Sequence, residues 1–301
     1  MAGGQSGWPG RNQQIVQGMA NADTFTVAPY LLHDIPANAS TDAIFGALFA
    51  QPEMMAEGGV TAQNLVIAKQ APAKPMDISI YETNLHSTEG SPAQATLDAV
   101  VPSVGAGVAI VSEMLQNMRL GARSQALFTL TQWQFKRSDG LHVPLWGAVV
   151  DMGVTNRRRP QFLAVELANT AIAGAMTQTF QGGDNPVWNE TSGIDGVKFQ
   201  NAHELQSFAF RDGDKRSVVL INLSRSDALP VDFVGAIQPH GRVEMSQLVA
   251  AKITDSNEDA EKVKIVSSIQ SFSAGQRITV PPFSVMVLRW TGARAADGAS
   301  R

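Results

Sequence analysis

The spacing of apolar residues changes once along this chain, near residue 181, and that change limits the folds open to it. Up to about residue 179, short apolar runs alternate with helical stretches, the pattern of helices laid over a parallel sheet. After Gln181-Gly182-Gly183-Asp184-Asn185-Pro186 the helical period disappears. Short strands at regular spacing follow, separated by turn residues, and these read as an antiparallel β-sandwich. The expected class is therefore α/β plus all-β. An α/β domain spans residues 1–180, a β-sandwich spans 181–292, and 293–301 form a small, polar, disordered tail.

In the first part, residues 24–32, 76–82 and 125–133 read as strands, and 41–57, 62–70, 97–120 and 160–177 as helices. Asn156 offers a cap for the last helix, and Pro160 suits a first helical turn. The strands are mostly apolar on both faces, as expected for a sheet covered by helices. In the second part, strands 205–210 and 217–223 flank Arg211-Asp212-Gly213-Asp214, where Asp-Gly supplies the positive-φ turn of a hairpin. Further strands are expected at 229–234, 243–249, 277–280 and 283–290.

Composition removes several functions. The 301 residues are 44% hydrophobic and 17% charged with a net charge of −4, so a nucleic-acid or anionic-membrane partner, which calls for a basic patch, is not expected. No run reaches the ~18 apolar residues of a membrane span. The first eight residues lack the basic and apolar regions of a signal peptide. Cysteine is absent, which excludes disulfides, thiolate nucleophiles and Cys-based metal sites but leaves the compartment open. Gly3-Gly4-Gln5-Ser6-Gly7 lacks the Lys of a phosphate loop, and Arg157-Arg158-Arg159 reads as a solvated helix start. His33 with Asp34 invites a metal reading, but no further ligand stands at a recognisable spacing, so neither metal nor cofactor is expected.

The chemistry-bearing feature is Ile78-Ser79-Ile80-Tyr81-Glu82-Thr83-Asn84, a strand that ends in a carboxylate. Barrel folds keep their chemistry at the C-terminal mouths of their strands, and a glycosidase needs a second carboxylate opposite the first. The bland alternative is a solvated glutamate closing a strand. Asn84 is equally well a turn residue. His33 and His86 both follow strand ends and could line a mouth. Trp133 and Trp146 could each offer a flat apolar ring to a sugar's C–H face; packing explains Trp146 better, and Trp133 about equally.

Beyond these residue readings, the chain resembles the C-terminal part of a retaining glycoside hydrolase of the (β/α)8 clan, most like the family 51 α-L-arabinofuranosidases. Tyr81-Glu82-Thr83-Asn84 matches that family's seventh-strand pattern, with Thr where Trp is frequent. Ala28-Pro29-Tyr30 falls near its sixth-strand aromatic, and Gln132-Trp133 at the end of its eighth strand. Residues 217–224 (SVVLINLS) and 279–285 (TVPPFSV) resemble strands of its closing sandwich. The resemblance implies the C-terminal half of a TIM barrel, strands 5/6 to 8, followed by a β-sandwich. Glu82 is then the nucleophile, oriented by the Tyr30 hydroxyl, with Asn84, His86, Gln132 and Trp133 around the sugar. It implies a carbohydrate partner and no cofactor.

The same resemblance leaves strands 1–4 without counterparts. The fourth strand carries the family's Asn-Glu general acid/base, and no Asn-Glu step precedes Glu82; Asn189-Glu190 lies beyond the eighth strand. The chain alone is expected to hold half an active site, to be inactive, and to aggregate, dimerise through open barrel edges or fold only its sandwich. Two other readings stay open: a carbohydrate-binding protein without catalysis, and a xylosidase or glucanase of the same clan.

Overall fold

The computed structural model describes residues 1–235 and 237–292; the tail expected at 293–301 lies outside the described residues. Four parallel strands, Ala2–Gly3, Thr24–Val27, Asp77–Thr83 and Gln125–Leu127, lie side by side in chain order. Phe25 is in register with Ile78, and Val27 with Ile80. Helices fill each connection: Pro9–Gly18, then Thr41–Ala56 and Val60–Lys69, then Gln94–Val100 and Val104–Arg119. Among the described residues, the first and last strands each have one neighbour only.

The sheet's two faces differ, contrary to the expectation of strands apolar on both. Phe25, Val27, Ile78 and Ile80 are buried with Val16, Ala68 and Met76 against the flanking helices. Alternation places Thr24, Thr26, Ser79 and Tyr81 on the other face. That face is small and polar, and Tyr81 is 44% exposed.

A second sheet has six strands, in the order Ala175–Thr177, Leu205–Asp212, Lys215–Asn222, Ser284–Thr291, Gly241–Val249 and Lys264–Phe272, all antiparallel. The hairpin closes at Gly213 with φ +59°, as the Asp-Gly step requires. A pair of strands, Leu229–Asp232 with Arg277–Val280, packs Val231, Ile278 and Val280 onto Val218, Leu220 and Trp290 of that sheet. The opposite face (Phe208, Val219, Ile221, Val287) shares one core with Leu48 and Phe49 of helix Thr41–Ala56, Val108 and Val111 of Val104–Arg119, and Leu163 and Leu167 of Pro160–Asn169. The two sequence regimes are therefore welded by a common hydrophobic layer.

Several expected boundaries move, each for a local reason. The helix expected at 97–120 is two helices, because Pro102 cannot continue one. The second restarts with the Ser103 hydroxyl accepting from Ala106 N–H. The helix expected at 160–177 ends at Asn169, and Ala175–Thr177 becomes a sheet strand after Gly174 turns at φ +63°. Its N-cap is Arg159, not Asn156. The strand expected at 125–133 stops at Leu127; Trp133–Lys136 instead pairs antiparallel with His142–Trp146. Strand Lys264–Phe272, rich in Ser and Gln, was not expected at all.

The arginine run is also corrected. Arg159 is 1% exposed; its guanidinium bonds Glu258 through Nε and Nη2, at 2.7 and 2.8 Å, and the carbonyls of Trp146 and Gly147 through Nη1. Arg157 donates to the Asp259 carbonyl, so two of the three arginines tie the α/β part to the loop before strand Lys264–Phe272. No single helix among the described residues is long and apolar enough to cross a membrane.

Candidate active site

Glu82 lies at the C-terminal end of the parallel sheet, where a bulge sets its direction. Ile80 pairs with Gln125 and Thr83 with Leu127, so the Glu82 strand holds one extra residue over that interval. Thr83 consequently falls on the buried, helix-facing side like Ile80, and its hydroxyl reaches Glu113 of helix Val104–Arg119 at 2.6 Å. Glu82 is thrown towards the opposite face, the usual effect of a bulge beside a site. There its Oε2 accepts a 2.8 Å hydrogen bond from the Tyr30 hydroxyl.

Tyr30 is held by the backbone that follows it. Leu31 N–H donates to Asn84 O, His86 N–H to Leu31 O, and Ser87 N–H to Leu32 O, so the loop after strand Thr24–Val27 runs beside the Glu82 strand. Leu32 and Ser87 both adopt left-handed backbone, φ +53° and +44°. Each costs on the order of 1–3 kcal/mol and persists only where neighbours fix it. Here Ser87 donates N–H and hydroxyl to Leu32 O, while Gln51 Oε1 accepts from Leu32 N–H. Burial, and then the bond to Glu82, raise the Tyr30 pKa well beyond the ordinary phenol range, so Tyr30 keeps its proton and donates.

An aromatic group surrounds this pair. Trp146 stands 5.9 Å from Tyr30 between ring centroids, meets Phe128 edge-on at 4.9 Å, and stacks on Trp133 at 4.9 Å and 11°. Its indole N–H donates to Leu85 O. Trp133 is 45% exposed, leaving much of its surface open. His86 meets Tyr30 edge-on at 5.7 Å and lies 4.9 Å from His33. Burial, with the charge of His33, lowers the His86 pKa against the opposing pull of Glu89 and Asp195, so this imidazole is neutral at neutral pH.

Asp195 arrives from a remote segment, the Ile194–Gly196 turn, with φ +53°. Its carboxylate sits 3.5 Å from His33 Nδ1 and accepts from Gln51 Nε2 and Asp34 N–H. Burial pushes the Asp195 carboxyl up, but the hydrogen bonds from His33 and Gln51 outweigh it and hold the group below its ordinary value.

Of the residues singled out in the sequence, Glu82, Tyr30, His86 and Trp133 converge. Asn84 is buried, and its side chain is spent on backbone: it donates to Phe128 O and accepts from Leu85 N–H, which is its turn reading. Gln132 enters through its backbone N–H to Val149 O, and Gly147 packs against its backbone. Trp146, for which packing was the better reading, joins the cluster as well, whereas Asp195, Gln51 and Glu113 are not legible as site residues in the sequence. Among the described residues no three His, Cys, Asp or Glu side chains gather as a metal site. A cavity of about 970 Å³ lies elsewhere, between residues 177–185 and the Leu229–Asp232 strand on the outer face of the six-stranded sheet. The Glu82 cluster is preferred as the site, because its carboxylate, donor and aromatic rings are brought together from four separate segments.

No family model and no curated protein matches this chain. Solved structures do. An α-L-arabinofuranosidase from Thermotoga maritima, in complex with arabinose, superposes with TM-score 0.71 at 17% identity over 96% of this chain and 57% of its own. The thermostable family 51 α-L-arabinofuranosidase from Thermotoga petrophila gives 0.71 at 18%, over 96% and 56%. A family 51 enzyme from Bifidobacterium longum gives 0.69 at 13%, over 96% and 59%. The chain thus has the mixed α/β fold of a little over half the length of these family 51 α-L-arabinofuranosidases, consistent with the C-terminal portion that its sequence resembles.

Proposed function

We propose that this chain is the C-terminal portion of a retaining glycoside hydrolase of α-L-arabinofuranosidase type, acting on plant-type polysaccharide side chains, with Glu82 as its nucleophile. The parallel sheet is the second half of a (β/α)8 barrel, the region to residue 180 its catalytic domain, and residues 181–292 its β-sandwich. The single observation that carries this reading is the Tyr30–Glu82 hydrogen bond at the C-terminal end of that sheet. Tyr30 orients the carboxylate for attack on the anomeric carbon; the Trp133–Trp146 stack gives the sugar an apolar plate; His86, and the His33–Asp195 pair behind it, face its hydroxyls. Retention requires a second carboxyl about 5–5.5 Å from Glu82. On this reading, further barrel strands supply it, on polypeptide paired to the sheet's free edges.

A substrate with a dinitrophenolate leaving group needs no protonation to depart, so glycosylation of Glu82 is testable without the partner carboxyl. Dinitrophenyl α-L-arabinofuranoside should release about one equivalent of phenolate per chain in a burst. Glu82→Gln should abolish the burst while arabinose-containing oligosaccharides still perturb tryptophan fluorescence. Absence of the burst, with sugar binding intact in both proteins, would favour the carbohydrate-binding reading that the exposed Trp133 ring also allows.

A further inference from the structure

Glu113 is a carboxyl that the chemistry above does not use, yet it lies directly behind the proposed nucleophile. It sits on helix Val104–Arg119 at 1% exposure. The Thr83 hydroxyl is 2.6 Å from Glu113 Oε2 and 3.2 Å from the Pro29 carbonyl. Thr83 follows Glu82, and Pro29 precedes Tyr30. The three groups therefore link the backbone of the nucleophile strand to the backbone of the loop carrying its hydrogen-bond donor.

A hydroxyl has one proton, and here it meets two acceptors if Glu113 is ionised. Either the carboxylate or the carbonyl would then be left without a donor in a buried position, which is unfavourable. A neutral Glu113 resolves this. Its own O–H donates to Thr83 Oγ1, and Thr83 donates to Pro29 O. No hydrogen bond reaches Glu113 Oε1, which a neutral carbonyl oxygen tolerates better than a carboxylate.

Among the described residues no salt bridge engages the group. The charged side chains of the surrounding elements are engaged elsewhere: Glu53 with His203, Asp42 with Arg225, Glu166 with Arg158, Arg289 with Glu244, and Asp77 with Lys69 and Arg123. Glu82 itself is bonded to Tyr30.

We propose that Glu113 is a positioning residue for the Glu82 site: as a neutral acid it completes the chain Glu113–Thr83–Pro29 and so holds Tyr30 at hydrogen-bond distance from Glu82. The importance of this chain for catalysis rests on Glu82 being the nucleophile; its existence does not. Burial raises the Glu113 pKa to about 8, against the smaller opposing pull of the Thr83 hydroxyl and the nearby Asn117 amide. The chain is therefore complete at neutral pH and breaks in mildly alkaline solution, when the carboxyl loses its proton to solvent and draws the Thr83 hydroxyl from Pro29.

The protein has two tyrosines, Tyr30 and Tyr81, so Tyr81→Phe leaves Tyr30 as the sole phenol. With ¹³Cζ-labelled tyrosine, the Tyr30 resonance in that background should move between pH 6 and 9.5 with a midpoint near 8. Glu113→Gln, whose amide can still donate to Thr83, should hold the low-pH position throughout. Glu113→Leu should show a displaced resonance at every pH, and Glu82→Gln should displace it too. A flat Tyr30 signal in the Glu113 protein, or an unchanged titration in Glu113→Gln, overturns the proposal. Because this readout needs no turnover, its failure is distinct from a missing phenolate burst, which would count against the nucleophile.

Discussion

At the scale of single residues, the site depends on one neutral donor beside one carboxylate. Tyr30→Phe removes the donor while keeping the ring against His86 and Trp146. The expected result is a phenolate burst slowed at least about tenfold, equivalent to ~1.4 kcal/mol in the barrier, with thermal stability changed by no more than about 1 kcal/mol. Glu113 gives a pH signature in stability. Between its ordinary value of 4.5 and about 8 the folded chain keeps that proton while the unfolded chain releases it. Folding then takes up a proton, so stability is fullest below 4.5 and falls as pH rises through about 8, by up to ~1.4 kcal/mol per pH unit. Urea titrations from pH 5 to 9 should show this decline, and Glu113→Gln should flatten it. Glu82 was legible in the sequence because it closes an apolar strand-like run, whereas Tyr30, inside the run 24–32, was reached through the family resemblance. Glu113 was hidden: a single Glu within an apolar helix carries no mark of the hydroxyl it will meet from a strand 30 residues away.

At the scale of elements, strands and their mouths were easier to read than their connections. Alternation and apolar runs located Thr24–Val27, Asp77–Thr83 and the hairpin Leu205–Asp212 with Lys215–Asn222. The break at Pro102 was also open to reading, since proline cannot continue a helix, but the long apolar stretch around it masked the signal. Trp146 is hard to read from the sequence as a site residue, because its partner strand, Trp133–Lys136, lacks an apolar pattern and is exposed. Asp195 comes from a turn more than a hundred residues beyond the histidine it meets, which no local pattern encodes. Helix Val104–Arg119 offers two checks. Ser103→Ala should lose about 1 kcal/mol by removing the cap. Gly107→Ala should cost about 1–3 kcal/mol, because a Cβ there would stand 2.8 Å from Pro160 O and push apart two helices of the common core. Chemical denaturation measures both.

At the scale of the whole molecule, the change of apolar period near residue 181 marks a change of secondary structure within one shared core. Arg159 reinforces that union, since its buried guanidinium joins the end of the Trp133–Trp146 hairpin to Glu258. Arg159→Ala should destabilise the chain by about 3–5 kcal/mol, in a single cooperative transition reported alike by tryptophan fluorescence and by far-ultraviolet dichroism. Two separate transitions would show that the parts fold independently. The face of the parallel sheet opposite its apolar layer carries the small polar residues Thr24, Thr26 and Ser79, so the strand edges, each with one neighbour among the described residues, are the stronger drive to association.

The central claim is that Glu82 is a nucleophile. Incubation with a 2-deoxy-2-fluoro arabinofuranosyl donor bearing a dinitrophenolate leaving group, followed by peptide mass spectrometry, tests it most directly. The account predicts one glycosyl adduct, mapped to Glu82 and absent from Glu82→Gln. An adduct on another carboxylate, or none on a folded chain that binds the sugar, would contradict it.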